Sequence, residues 1–304
     1  MPTPAKLSAL TVAAALAASA AAAADAPYAA TYAETRHVDA EGIRYAYRTF
    51  GPAEGVPLVL VNRLRGTMNE WDPLLIELVA ARRPVVIFDN VGLAETSGPA
   101  PITLKGFAAG AARFIRALGH RQVDLMGFSF GGLTAQQLVL DEPGLVRKLV
   151  IVGSGAGFVE GAPLDAEMLR IAARPVNTDE DFLTLFFEPT PSSQRAGREH
   201  LARLKLRPGA YDVRVSEAGW RAQLAAASDV GTAVTSLLTR AHEITKPVLV
   251  ANGNHDAMIP TYQSFALAQA IPNAKLILYP DSGHAFMFQH ARAFAEDMER
   301  FLAE

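Results

Sequence analysis

The chain has 304 residues, of which 50% are hydrophobic and 19% are charged, with a formal net charge of −3 and no cysteine. This composition excludes a disordered chain, a collagen-like repeat and a disulfide-stapled scaffold. The weak negative charge provides no broad basic surface, so we expect no nucleic-acid partner. The length is sufficient for a large core, and the absence of cysteine excludes a thiol nucleophile.

The first 24 residues form a distinct segment with one charged residue, Lys6, and an apolar run that ends in Ala22-Ala23-Ala24. Small residues at this end suit a signal peptidase, and Pro27 disfavours continuation of a helix. We therefore predict a secretory signal peptide over residues 1–24 and a periplasmic or secreted mature protein without stable membrane insertion. An uncleaved membrane anchor is the alternative, because a run of about 18 residues is near the lower limit for a membrane span.

Short apolar runs then alternate with segments of helical periodicity. The predicted strands are a hairpin of Thr35–Val38 and Ile43–Phe50, followed by Pro57–Asn62, Pro84–Asp89, Val123–Gly127, Lys148–Val152, Pro247–Ala251 and Lys275–Tyr279. The predicted helices are Trp71–Arg82, Leu104–Leu118, Gly131–Leu140, Tyr262–Ala270 and a last helix from Gln289. This alternation predicts an α/β fold with a mostly parallel sheet covered by helices on both faces.

Residues 158–243 interrupt the alternation with amphipathic helical pieces and no strong strand. Because this stretch is too long for an ordinary loop, we predict a helical lid inserted into one core domain. The predicted core then comprises residues 25–157 and 244–304.

The most informative motif is Gly127-Phe128-Ser129-Phe130-Gly131, which lies between a predicted strand and a predicted helix. A sharp turn at this junction strains the serine backbone, and flanking glycines remove side chains that would collide there. The turn raises the hydroxyl above the sheet and places the next N–H at the start of a helix. We therefore predict Ser129 as a nucleophile and the Phe130 N–H as an oxyanion donor.

A serine nucleophile needs an imidazole base that is oriented by a carboxylate. Asp256 and His284 each follow a predicted strand, so both are expected with Ser129 at the carboxyl ends of the strands. Two other histidines compete for the role of the base: His255, which is adjacent to Asp256, and His290, which is predicted to be solvated on the last helix. We interpret Asp281 as a turn residue. The remaining histidines have no supporting motif and are interpreted as surface or cap residues: His37, His120, His200 and His242.

These motifs resemble the α/β-hydrolase superfamily over about residues 35–304, and the segments 62–67 and 88–92 resemble its lidded esterase, haloperoxidase and lactone-hydrolase branch. The resemblance implies a serine hydrolase that cleaves an ester or lactone through an acyl-enzyme, without a metal or cofactor. It also places the second oxyanion donor at the N–H of Leu64. Open alternatives are a cofactor-free perhydrolase or haloperoxidase, a C–C bond hydrolase, and a non-catalytic binding protein on the same scaffold.

The chain departs from the family pattern at Asn62-Arg63, where His-Gly is usual, and at Ala94, where glycine is common. Arg63 or Arg65 could bind a substrate carboxylate or could brace the loop against Asp89 or Glu95. We favour bracing, because loop arginines usually pair with nearby acids or solvent.

Apolar side chains in the same motifs predict a substrate pocket formed by Phe128, Met258 and Phe286. Aromatic residues of the lid are further candidates, or serve to seal the lid onto the core: Phe182, Phe186, Phe187 and Trp220. We expect the partner to be a small ester or lactone with an apolar acyl chain or ring.

Overall fold

A computed structural model describes residues 28–304, so the predicted signal peptide lies outside the described residues. Eight strands form one sheet in the order β1-β2-β4-β3-β5-β6-β7-β8. Their bounds are β1 Arg36–Ala40, β2 Ile43–Phe50, β3 Leu58–Val61, β4 Val85–Phe88, β5 Val123–Phe128, β6 Val146–Val152, β7 Val248–Gly253 and β8 Ala274–Tyr279. The β1–β2 and β2–β4 pairs are antiparallel, and the remaining pairs are parallel.

Helices connect and cover these strands. They are α1 Pro73–Ala80, α2 Leu104–Ala117, α3 Phe130–Asp141, α4 Ala166–Ala172, α5 Asp179–Phe186, α6 Pro191–Leu204, α7 Glu217–Ser228, α8 Thr261–Ala270, α9 Phe286–Gln289 and α10 Ala291–Ala303. Short 3₁₀ helices span Ala29–Tyr32, Met68–Glu70 and Leu237–Glu243. None of the described helices is long and apolar enough to cross a membrane.

The central strands are buried on both faces, as a parallel sheet between helices requires. Strand β3 shows how the two cores are built. Val59 and Val61 belong to the core that contains Phe107, whereas Leu58 and Leu60 belong to the opposite core, which contains Trp71. This alternation follows from the two-residue period of a strand. The predicted α/β fold, a mostly parallel sheet covered by helices on both faces, is confirmed.

A buried ion network lies at the amino-terminal ends of the parallel strands, away from the loops that carry the chemistry. Asp124 is completely buried and accepts hydrogen bonds from Arg83 at 3.1 Å and from Arg147 at 2.6 and 2.9 Å. Arg83 also forms a two-point ion pair with Glu299 of α10. The network therefore ties the ends of β5 and β6 to the last helix.

Most predicted strands agree with the structure within about two residues, which is ordinary for boundaries. The last helix differs, because it begins at Phe286 and is interrupted at His290, which has φ −105° and ψ 38°. Residues 158–243, hereafter the insertion, contain the four helices α4 to α7. Ala94 has a positive φ of 48°, a conformation that glycine adopts more readily.

Candidate active site

Ser129 occupies the turn between β5 and α3, with φ 55° and ψ −119°. Its N–H donates to the Val152 carbonyl at 2.9 Å, which anchors the turn to β6. The glycines of the motif are required by close backbone approach. A Cβ at Gly127 would lie 2.2 Å from the Gly131 carbonyl oxygen, and one at Gly131 would lie 2.1 Å from that of Val61. The motif is therefore a tightly packed strand-to-helix turn that holds Ser129 in a strained conformation.

His284 and Asp256 form a buried hydrogen-bonded pair, with His284 Nδ1 2.7 Å from Asp256 Oδ2. The second oxygen, Asp256 Oδ1, accepts the N–H groups of Met258 at 2.8 Å and Ile259 at 2.9 Å. These three contacts fix the carboxylate and, through it, the imidazole. The Nδ1–H then faces the carboxylate, so Nε2 is free to act as the base.

Ser129 and His284 pack against one short segment at the end of β6, residues 152–154. The Ser154 hydroxyl donates to the Ser129 carbonyl at 2.7 Å. Gly153 has φ 51°, and a Cβ there would lie 3.0 Å from the His284 carbonyl oxygen and 3.3 Å from its Nδ1. Sequence reasoning missed the roles of Gly153 and Ser154, although a cluster of small residues directly after a buried strand could have indicated a close approach.

The loop of residues 62–66 follows β3 beside the serine turn. Within it, the Arg63 N–H donates to Asn62 Oδ1 at 2.8 Å and the Arg65 N–H donates to Gln223 Oε1 at 2.9 Å. Between them, the Leu64 N–H has no hydrogen-bond partner within residues 28–304. Phe130 supplies the first N–H of α3. Leu64 and Phe130, the oxyanion donors that the sequence predicts, thus lie on this loop and at the helix start.

Residues 56–291 match the family model described as alpha/beta hydrolase fold. The chain belongs to the α/β-hydrolase family. It is 30% identical over 277 residues to a poly(3-hydroxyalkanoate) depolymerase of Ectopseudomonas oleovorans, covering 89% of this chain and 92% of the relative. A solved α/β hydrolase fold protein from Chitinophaga pinensis has 34% identity and a TM-score of 0.82 and covers 90% of this chain and 98% of its own. The structure of Est816, an N-acyl homoserine lactone degrading enzyme, has 25% identity and a TM-score of 0.67, with coverage of 88% and 100%.

In this α/β hydrolase the His284 ring contacts two aromatic side chains, which also contact each other at a centroid distance of 6.2 Å. Phe128, from β5, is completely buried with its ring centroid 5.0 Å from the imidazole. Phe186, from the insertion, packs edge-on with a centroid distance of 5.1 Å. Core and insertion therefore restrict the orientation of His284 together.

Arg63 braces its own loop, as the sequence analysis favours, but the predicted partners are wrong. Its guanidinium donates to Glu70 at 2.6 Å and to the Leu64 carbonyl at 2.8 Å, and it lies 5.0 Å from the Phe186 ring centroid. Asp89 instead accepts the N–H groups of Met68 and Glu95. Glu70 is closer in the fold because the 3₁₀ turn at Met68–Glu70 folds back onto the loop, and a capping box at Thr67 holds that turn.

Arg65 connects the loop to the insertion rather than to an acidic residue. Its guanidinium donates to the carbonyls of Ala172 at 3.1 Å, Arg174 at 2.6 Å and Pro175 at 2.8 Å. It also lies 5.0 Å from the Trp220 ring centroid. Burial lowers the pKa of Arg65 from its usual value, and the neighbouring Arg63 contributes to this shift. Both arginines are thus already occupied by protein groups.

A cavity of about 450 Å³ lies between this loop and the insertion, within the range of about 300–1,000 Å³ that is typical of ligand sites. Its apolar wall includes Val176, Phe182, Leu185, Phe186, Leu201, Leu204, Val213, Val215 and Trp220. Tyr211 also lines the cavity, and its buried hydroxyl has no hydrogen-bond partner within the described residues. Burial raises the pKa of Tyr211 to about 12, so its phenol keeps its proton at neutral pH.

The predicted pocket residues do not line this cavity. Phe128 and Phe286 are completely buried, and Phe286 stacks on Tyr279 at 4.9 Å as part of the core. Met258 is half-buried beside Asp256, to which its N–H donates. They lie elsewhere because proximity to Ser129, Asp256 and His284 in sequence does not define which side of the backbone faces the cavity, and their contact with a substrate stays a prediction. Three lid aromatics do line it or its edge: Phe182, Phe186 and Trp220.

His200 is the clearest correction among the remaining histidines, because it is completely buried rather than a surface or cap residue. Its Nδ1 lies 2.8 Å from Asp72 Oδ2, and Arg203 binds the same carboxylate. Burial alone would raise the pKa of Asp72, but hydrogen bonds and charge from His200 and Arg203 outweigh burial and lower it. Asp72 caps α1 of the core, so this group joins the insertion to the core.

The residues near Asp256 and His284 in sequence, which are the alternatives for the roles of base and carboxylate, make contacts within the protein. His255 is exposed and pairs with Glu188 of the insertion. His290 lies at the break before α10, with Nε2 2.9 Å from the Pro280 carbonyl oxygen. Asp281 has φ 49° at its turn and accepts the Thr190 hydroxyl at 2.6 Å. No group of three or more His, Asp or Glu residues suited to a metal ion occurs within residues 28–304.

Proposed function

We propose that the protein is a serine hydrolase that cleaves a neutral carboxylic ester or lactone through an acyl-enzyme intermediate. The supporting observation is the arrangement at the end of β6, where the strained Ser129 turn and the buried His284–Asp256 pair pack against the same three residues. A buried carboxylate, an oriented imidazole and a serine at a strand-to-helix turn are the groups that acyl transfer requires.

In the proposed reaction, Ser129 Oγ attacks the substrate carbonyl carbon while His284 Nε2 accepts the hydroxyl proton. Asp256 holds the imidazole and stabilises its positive charge. The N–H groups of Leu64 and Phe130 bind the oxyanion of the tetrahedral intermediate. Collapse of this intermediate breaks the C–O bond, and the leaving oxygen receives the proton from His284. Water, activated by His284 in the same way, then releases the acid from Ser129.

The cavity supports a neutral, amphipathic acyl group as the substrate class. Most of its charged lining residues already have partners: Arg63 with Glu70, Asp179 with Lys205, Glu217 with Arg221, and Arg65 with three carbonyls. Arg214 also lines the cavity, where it donates to the Tyr211 carbonyl at 3.2 Å and has no carboxylate partner within residues 28–304. Away from Arg214, binding an anion would require one of the other contacts to break. The names of two similar proteins, a poly(3-hydroxyalkanoate) depolymerase and an N-acyl homoserine lactone degrading enzyme, are consistent with an acyl ester or lactone.

Labelling and turnover test this function. We expect the wild type to be labelled by a fluorophosphonate and to hydrolyse short p-nitrophenyl esters, and S129A to lose both activities. H284A and D256N should also lose most turnover, by a factor of about 10³ or more. A wild type that remains unlabelled and inactive across a panel of esters and lactones would support a non-catalytic binding protein instead. Labelling that persists in S129A would exclude Ser129 as the nucleophile.

We further propose that the protein is exported, with residues 1–24 removed as a signal peptide. Expression of the full chain in a Gram-negative host tests this proposal. The mature protein in the periplasmic or culture fraction should have the intact mass that corresponds to an amino terminus at Asp25. Retention of residues 1–24 in a membrane fraction would favour the uncleaved anchor.

A further inference from the structure

The oxyanion loop is held by the insertion at a position directly beside the proposed donor. Both polar groups of the peptide unit between Leu64 and Arg65, its carbonyl and its N–H, form hydrogen bonds. Its carbonyl accepts from Arg63 Nη1 at 2.8 Å, and its N–H donates to Gln223 Oε1 at 2.9 Å. Because the orientation of this unit determines the path of the chain at Leu64, it also limits where the unpaired Leu64 N–H can point.

Gln223 is well placed for this role. It belongs to α7 of the insertion and is 1% exposed. It lines a small void together with Asn62, Arg63 and Gly66 of the loop and with Phe130 of α3. The side chain of one insertion residue therefore lies against both segments that carry the proposed oxyanion donors.

The side chain of Arg65 also fixes the same loop to the insertion. Its backbone has a positive φ of 62°, which is unfavourable for a residue with a Cβ and persists only where surrounding contacts enforce it. Three carbonyls, one at the end of α4 and two just after it, and the face of Trp220 provide such contacts. The conformation of the loop thus depends, through the Arg65 side chain, on the packing of the insertion against the core.

We propose that Gln223 and Arg65 are positioning residues that hold the Leu64 N–H in its catalytic direction. The oxyanion hole is then complete only while the insertion is packed against the core. This inference rests on the proposed function, because it concerns the same site. It assigns the insertion a role in stabilising the transition state in addition to enclosing the substrate. Neither residue touches the reacting atoms.

The test separates transition-state stabilisation from ground-state binding. Q223M retains the side-chain volume and removes the acceptor, and R65K retains the charge and removes the guanidinium fork. For hydrolysis of a short p-nitrophenyl ester, we expect kcat to fall by about 10- to 100-fold, less than the 10²- to 10³-fold typical of losing an oxyanion donor outright. KM should stay within about twofold, since uniform binding is unaffected. Affinity for a boronic acid, whose tetrahedral adduct mimics the oxyanion, should fall in parallel with kcat.

R170A is the matched control. Arg170 belongs to α4, the helix at whose end Arg65 binds, but it is exposed, pairs with Glu167 on its own helix and does not line the cavity. We expect R170A to retain wild-type kcat, KM and boronic acid affinity. If Q223M does not fold, kcat, KM and boronic acid affinity measured for R65K test the positioning role by themselves.

The outcomes distinguish this proposal from the proposed function. If the wild type is not labelled by a fluorophosphonate, both the serine hydrolase function and the positioning role are overturned. Normal labelling of the wild type, with Q223M and R65K unchanged in kcat and boronic acid affinity, would overturn the positioning role alone. A rise in KM at constant kcat would also overturn it, because the two residues would then contribute only to substrate binding.

Discussion

Phe186 of the insertion packs edge-on against the imidazole of His284, with ring centroids 5.1 Å apart, and it also forms part of the cavity wall. One aromatic ring therefore separates the cavity from the proposed base. The guanidinium of Arg63 lies 5.0 Å from the same ring. The first prediction follows from this arrangement.

Replacement of Phe186 by alanine should lower kcat for every ester, by about tenfold, because a loosened imidazole loses the orientation that general-base catalysis needs. F182A is the control, since Phe182 stacks on Phe186 at 4.2 Å and lies one ring farther from His284. Steady-state kinetics with short and long acyl esters will measure the effect. Equal losses of kcat in F186A and F182A would contradict a specific contact with the base.

Removal of the Tyr211 hydroxyl should change specificity rather than the rate of the chemical step. The phenol is protonated, and its buried oxygen has no hydrogen-bond partner within the described residues, so a polar substituent on the acyl chain that reaches it would satisfy it. We expect Y211F to raise KM about tenfold for hydroxy- or oxo-acyl esters and to leave KM for plain alkanoyl esters unchanged, which corresponds to one lost hydrogen bond. An equal change for both series would argue against this contact.

A methyl group at Gly153 should displace the base. The Cβ of G153A would lie 3.0 Å from the His284 carbonyl and 3.3 Å from Nδ1, at a backbone φ of 51° that disfavours alanine. We expect kcat to fall at least about tenfold and the unfolding free energy to fall by about 1–3 kcal/mol. G144A is the control, because a Cβ at Gly144 meets no atom within 4 Å. Urea unfolding and turnover of a p-nitrophenyl ester measure the two effects.

Asp89 should make the stability depend on pH in the neutral range. Burial raises its pKa from 3.8 to about 7, although hydrogen bonds from the N–H groups of Met68 and Glu95 act in the opposite direction. Between these values the folded protein holds one proton more than the unfolded chain. The contribution of Asp89 is therefore fully present below pH 3.8 and declines as the pH rises to about 7, by up to about 1.4 kcal/mol per pH unit.

The matched variant is D89N, which does not titrate. Its unfolding free energy, subtracted from that of the wild type at pH values from about 4 to about 8, isolates the contribution of Asp89. We expect this difference to decrease as the pH rises. A difference that stays constant or increases would show that hydrogen bonding keeps Asp89 ionised throughout the range.

The Asp124 network should govern stability without affecting chemistry. D124A would leave the guanidinium groups of Arg83 and Arg147 without their shared, fully buried partner. We expect a loss of about 3–5 kcal/mol in unfolding free energy, as for other broken buried pairs. The activity per folded molecule should be unchanged, because the network lies at the opposite end of the strands. E142A removes the more exposed pair with Arg116 and should cost no more than about 1 kcal/mol.

Local patterns in the sequence were sufficient to predict the sheet. Five consecutive parallel strands are buried apolar runs that are bounded by turns and helices. These patterns were also sufficient to bring Asp256 and His284 into contact, since parallel strands carry both residues to the same edge of the sheet. A glycine motif placed Ser129 on its turn for a similarly local reason. Each strand or motif on which these features depend spans fewer than about ten consecutive residues.

Most features that the sequence did not reveal depend on contacts between the insertion and the core. His200 and Asp72 are 128 positions apart, and Arg65 and Gln223 are 158 apart. The partner of Arg63 is close in sequence, but the choice of Glu70 over Asp89 follows from a 3₁₀ turn with no strong periodicity. The cavity wall combines a loop of the core with helices α5 to α7, so no single motif defines it.

The contacts of Arg65 have a consequence for how such a protein can change. Its guanidinium binds the backbone carbonyls of Ala172, Arg174 and Pro175 and none of their side chains. Other residues at these three positions would present the same oxygens, provided that the turn keeps its shape. Substitutions there can therefore remodel the edge of the cavity while the loop beside Ser129 stays in place. Libraries that vary residues 172–176 are a direct route to altered acyl preference with the catalytic machinery intact.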